Sequence, residues 1–167
     1  HLLSGYVFTP FAASFRALSD DDKARGAALI RMSRGITEAL IFSGGAMRNC
    51  RAFPVGTDDL LAEQGLVREE KLAKLVSGIV SLDGWDAVKK AVVAGEASMA
   101  DTLLESIERA AGRPTSAAGC LSRPFENLPD DRMSYVVSLG MLDYLQRERQ
   151  KAHAASSIFR NAAFRTI

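Results

Sequence analysis

Histidine and cysteine are scarce in this chain of 167 residues, with two of each. They are also scattered: His1 and His153 lie towards opposite ends, and Cys50 and Cys120 are far apart. A metal centre needs His, Cys, Asp or Glu clustered at ligand spacing, so no metal is expected. Two thiols do not make a disulfide framework, and free thiols in a reducing compartment are expected. Aromatics make up only 7%. The longest apolar runs fall well short of the roughly 20 residues that a bilayer span needs. No basic segment followed by an apolar one opens the chain, so no signal peptide is expected. The expected location is cytoplasmic, or inside a host cell after secretion without a conventional signal peptide. His1 in place of a starting Met is expected of a chain trimmed from a longer one. Neither Gly-x-x-x-x-Gly-Lys-Ser/Thr nor Gly-x-Gly-x-x-Gly occurs, so nucleotide binding through those loops has no support and no cofactor is expected. The net charge is +1, which gives no global field towards nucleic acid or membrane.

Alanine is abundant and 47% of residues are hydrophobic, a bias that favours helix over strand. The length suits a single domain, 1–167. Ser19 is a good N-cap, with Asp20, Asp21 and Asp22 in the first turn, where carboxylates favour the helix dipole. Leu29, Met32, Ile36 and Leu40 recur at intervals of three and four, which predicts an amphipathic helix from Asp20 to Phe42. Gly44 and Gly45 then stop it. Further helices are expected over Ala46 to Phe53, after a Thr57 cap, over Arg68 to Val80, over Gly84 to Ala94, after Ser98, and from Asp130 through Leu145. Residues 1–10 read as an extended arm, 114–129 as a long loop and 147–167 as a basic amphipathic segment. No Asn-Gly or Asp-Gly turn joins alternating segments, so no strand is expected. The expectation is an all-α fold, an irregular multi-helix bundle of about six to eight helices.

The residues that stand out chemically are Gly44, Gly45 and Arg48. Arginine is planar, permanently charged and forked, which suits it to phosphoryl oxygens. Gly45-Ala46-Met47-Arg48-Asn49-Cys50 resembles the Gly-x-Leu-Arg-x-Leu loop of the bacterial type III secreted Rho-GTPase-activating effectors, with Met47 and Cys50 in place of leucines. The resemblance implies a small helical bundle that supplies Arg48 as a finger to a host GTPase, which itself holds the nucleotide. The segment that contacts the GTPase in that family has its nearest counterpart in Thr115 to Ser122, which marks Thr115 and Ser116 as partner-binding. Two functions follow as expectations. The first is a helical protein-interaction domain of a bacterial effector that binds another protein. The alternative is a GTPase-activating effector acting through Arg48 on a host small GTPase. A lesser expectation is contact with nucleic acid or anionic membrane through Arg147, Arg149 and Lys151.

Overall fold

The computed structural model of the chain describes residues 11, 13–14, 17–62, 66–95, 101–118 and 140–151. At its centre is a strand. β1 (Ala27–Met32) is buried at every position except Arg31, which is half-buried. A strand covered on both faces shows no apolar–polar alternation, because both sets of side chains point into core. Its sequence is then a short apolar run that fits a helical period as well as an extended one.

β2 (Thr37–Ser43) runs antiparallel to β1, with Ala27 opposite Phe42 and Met32 opposite Thr37. β3 (Ala46–Phe53) runs antiparallel to β2. Gly44 and Gly45 form the turn between them, with φ of +61° and +77°. Two successive left-handed residues make the tight hairpin turn whose twist matches that of paired strands, and glycine takes that shape without steric cost. The turn is docked on α1 (Asp20–Arg25): the Gly44 and Gly45 amides donate to the carbonyls of Ala24 and Lys23, each at 3.1 Å. The Ser19 cap of α1 forms as expected. Asp22 N–H donates to Ser19 Oγ at 3.0 Å, and Ser19 N–H donates back to the Asp22 carboxylate at 3.1 Å.

After β3 come α2 (Thr57–Leu60), α3 (Glu69–Val80) and a single 3-10 turn (Trp85–Ala87). β4 (Lys90–Gly95), α4 (Asp101–Ala111) and β5 (Thr115–Ala117) follow, then a helix over 140–151, α5. The sheet order is β3-β2-β1-β4-β5. β4 lies parallel to β1 on the side away from β2, and β5 lies parallel to β4. Core residues fill both faces. On one face Ala28, Ile30, Ile41 and Val93 meet Leu72, Leu75 and Ile79 of α3, Leu103 and Ile107 of α4, and Trp85. On the other, Leu29, Leu40, Phe42 and Val92 meet Ala13, Ala17 and Leu18. Phe11 stands edge-on to Tyr144 of α5, with ring centroids 6.5 Å apart.

The all-α expectation is therefore wrong: the chain is a mixed α/β protein. The single helix expected from Asp20 to Phe42 is α1, β1 and β2 in succession. Ala46 to Phe53 is β3, and Gly84 to Ala94 is the 3-10 turn followed by β4. The helix expected over Arg68 to Val80 does form as α3, and the one after Ser98 forms as α4. These two carry a wet face as well as a buried one, so their periodicity is helical in fact. β5 lies inside the stretch expected to be loop. The proposed arm 1–10, most of 114–129 and residues 152–167 of the basic segment lie outside the described residues.

Candidate functional site

Arg48 is the extra residue of a β-bulge. Ile41 is opposite Asn49 and Phe42 is opposite Met47, which leaves Arg48 unmatched. A bulge re-aims the side chain it carries. Here the side chain passes Gly84 and folds back on its own hairpin, with Nε donating to the Ser43 carbonyl at 3.1 Å. Gly44 and Gly45 belong to the same hairpin. Thr115 and Ser116 do not, because they sit on β5 at the opposite edge of the sheet. Four strand spacings separate the two edges, roughly 19 Å. Thr115 is also engaged locally: its amide donates to a Glu108 carboxylate oxygen and its hydroxyl to the Arg113 carbonyl, both at 3.0 Å. The residues expected to form one partner site are thus not brought together.

The topology points to another place. Sheets with parallel strands bind ligands outside the carboxyl ends of those strands, where the strand order reverses direction. That point lies between β1 and β4, at Met32 and Gly95. The β1–β2 loop, Ser33-Arg34-Gly35-Ile36, rises beside it. Ser33 donates to the Ile36 carbonyl through both its amide, at 2.9 Å, and its hydroxyl, at 3.1 Å. The carbonyls of Ser33 and Arg34 accept the amides of Thr57 and Asp58, each at 3.0 Å, so the start of α2 is sewn to the loop. Gly56 permits this approach: a Cβ there would lie 2.2 Å from the Arg34 carbonyl oxygen. Arg34 Nε pairs with the Asp58 carboxylate at 3.3 Å. Two residues below the loop, Arg31 and Glu38 face each other across β1 and β2 and form an ion pair. Sequence reasoning passed over Arg31 and Glu38 because only a hairpin register makes them neighbours.

Three ionisable groups are displaced from their ordinary range. Burial pushes the Lys23 ammonium below 10.5, a shift that the Asp20 charge opposes; the ammonium lies 5.7 Å from the centroid of the Phe42 ring. Burial pushes the Cys50 thiol above 9.0, and the charge of Glu38 adds to this. Only a thiolate is a nucleophile, so this shift disfavours the reactive form of Cys50. Burial alone would raise the Asp22 carboxyl, but hydrogen bonds from Lys90 and Ser19 outweigh it and hold the group below 3.8. The basic segment is partly neutralised as well: Arg147 pairs with Asp20 at 3.3 Å and Lys151 with Glu148 at 2.9 Å. Among the described residues no His, Cys, Asp and Glu cluster could hold a metal ion, and no helix is long and apolar enough to cross a membrane.

No family model matches the chain, and no curated protein matches it in sequence. Solved structures do match the fold. MreB 5 of Spiroplasma citri, in a structure bound to AMPPNP, superposes with a TM-score of 0.61 at 12% identity, over 88% of this chain and 60% of that one. The PilM-PilN type IV pilus biogenesis complex gives 0.57 at 13%, over 82% of this chain and 51% of that one. An archaeal actin homolog gives 0.55 at 15%, over 82% and 53%. The fold is thus the α/β fold of actin-like proteins, and the chain spans only 51% to 60% of the length of these three. It follows that neither of the expected functions stands. The chain is not a helical effector domain, and the arginine-finger role of Arg48 falls with the bundle it presupposed.

AMPPNP is a nucleoside triphosphate analogue, and phosphates of this kind need free donors, with carboxylate oxygens for the accompanying metal ion. Among the described residues at the carboxyl ends of β1 and β4, the carboxylates and the first helix amides already have partners. The Glu38 carboxylate is taken by Arg31 and that of Asp58 by Arg34. The first amides of α2 are spent on the Ser33 and Arg34 carbonyls.

Proposed function

We propose that the chain is a lobe of an actin-like protein that works by associating with a partner protein, and that its own β1–β4 crevice takes no nucleotide. One observation carries this. The groups at the crevice satisfy each other: Arg31 with Glu38, Arg34 with Asp58, and the loop carbonyls with the amides of Thr57 and Asp58. Among the described residues, the carboxylates best placed to hold a nucleotide's metal ion are thereby engaged by arginines. Support from outside the chain is that the PilM-PilN structure, which shares the fold, is a protein complex. Nothing in the fold favours a GTPase as the partner.

The test is thermal unfolding with and without magnesium and AMPPNP. A ligand that binds only the folded state at a hundred times its Kd adds about 2.7 kcal/mol of stability. The expected result is an unchanged midpoint up to millimolar nucleotide. A saturable rise in the midpoint would end this reading.

A further inference from the structure

β3 is an edge strand. It pairs with β2 along one side, and among the described residues nothing pairs along the other. An open edge presents a row of free backbone amides and carbonyls, a template for one more strand. The Arg48 bulge distorts the start of β3. Beyond it, from Asn49 to Phe53, the register with β2 is continuous. That leaves five residues of regular template. The opposite edge, β5, has only three residues.

The side chains of β3 sort by face. Asn49, Arg51 and Phe53 stand opposite Ile41, Ala39 and Thr37, on the side covered by α3. Arg48 joins them, since its stem packs where Ile41 meets Gly84. Met47 and Cys50 stand opposite Phe42 and Leu40, on the other side. One flank of the open edge is therefore basic and the other apolar, with Met47 exposed. β3 contains no acidic residue. Neither of its arginines has a carboxylate within ion-pair distance among the described residues. Arg51 lies over the Phe53 ring at 5.5 Å, and Arg48 bonds a backbone carbonyl. By contrast, the cations beside the crevice, Arg31 and Arg34, both have carboxylate partners.

We propose that β3 is a docking edge for an extended acidic segment of a partner protein. The segment adds as a further strand, with its carboxylates over Arg48 and Arg51 and its alternate apolar side chains beside Met47 and Cys50. This is strand addition, in which backbone hydrogen bonds give affinity and alternate side chains give specificity. The charges also decide between occupants. A second copy pairing β3 against β3 would set arginines against arginines, and like charges across a strand pair are destabilising. The feature that keeps copies apart thus selects an acidic strand. The proposal rests on the association reading above and adds the place and the chemistry.

The test uses the full chain and two short fluorescent peptides, one alternating valine with glutamate and one alternating valine with lysine. The valine–glutamate peptide is expected to bind saturably at low salt, to weaken as salt rises, and to slow amide exchange within Ala46–Phe53. The valine–lysine peptide is expected not to bind. In the double variant Arg48→Glu, Arg51→Glu the preference reverses, with about a tenfold loss for the glutamate peptide, or 1.4 kcal/mol. Both arginines are exposed, so an unchanged thermal midpoint verifies that the variant is folded. Equal affinity in the double variant, slowed exchange on another element instead, or no binding at low salt would each overturn the edge assignment. Stabilisation by magnesium and AMPPNP would overturn the association reading separately, whatever the peptides do.

Discussion

Lys23 is a charge placed where a methyl group would be easier to keep. Its folded-state value lies below 10.5, so the folded chain gives up this proton before the unfolded chain does. Between the lowered value and 10.5 the unfolded state binds more protons, and stability rises with pH across that window. Lys23→Met is expected to flatten this alkaline rise, measured by urea unfolding at neutral and alkaline pH. Asp22 acts in the other direction. Its value is held below 3.8, so its contribution is complete above that pH and is lost as pH falls through the lowered value. Asp22→Asn is expected to cost about 1 kcal/mol at neutral pH and nothing in strong acid, where both proteins carry a neutral group. Gly56 is a case of space alone. Gly56→Ala drives a Cβ into the Arg34 carbonyl and is expected to cost about 2 kcal/mol or more. Gly35→Ala, on the same loop with nothing within 4 Å of its Cβ position, serves as the control and is expected to change little.

At the scale of elements, the β1–β2 hairpin is held by one cross-strand ion pair, between Arg31 and Glu38. Removing one partner leaves a half-buried charge uncompensated, while replacing both with apolar residues removes the penalty. Glu38→Leu alone is therefore expected to destabilise by about 2 kcal/mol, and Arg31→Met in the same chain to restore most of that. A double-mutant cycle from chemical denaturation measures the coupling. The elements also explain what could be read from the sequence. α3 and α4 were legible because solvent covers one side of each, so Glu69, Glu70, Lys71 and Lys74 alternate with buried Leu72, Leu75 and Val76 in true helical spacing. The Ser19 cap was legible because its chemistry is local. The strands were not. β1, β2 and β4 are covered on both sides, and β3 is half-open on both, so none shows the alternation that marks a strand. Leu29, Met32, Ile36 and Leu40 have helical intervals only because they straddle a hairpin. Gly44-Gly45 was the available clue, since two adjacent glycines serve a tight hairpin as well as a helix end.

At the scale of the molecule, the described residues take the α/β fold seen in actin-like proteins, and its sheet sets the residues singled out in the sequence far apart. Arg48 and Thr115 could be linked in sequence by a family resemblance, but strand order puts them on opposite edges. The crevice residues were illegible for the complementary reason. Arg31 and Glu38 become a pair only through register, and Arg34 and Asp58 only through the return of the chain at α2. Association through surfaces predicts that the sedimentation behaviour of the chain is indifferent to magnesium and AMPPNP, which ultracentrifugation at several protein concentrations will check.

The position of β1 has one more consequence, in time. On one side its partner arrives through a four-residue loop; on the other, β4 arrives only after β2, β3, α2 and α3 have been passed. Short closures form in microseconds, while contacts distant in sequence must first overcome the entropy of a long loop. The meander β1–β2–β3 is then the natural nucleus, and β4 and β5 join a template already laid down. Gly45→Val, which strains the tight turn, is expected to slow refolding and leave unfolding nearly unchanged. Val93→Ala, in β4, is expected to leave refolding nearly unchanged and to hasten unfolding, so stopped-flow chevrons of the two variants should move on opposite arms.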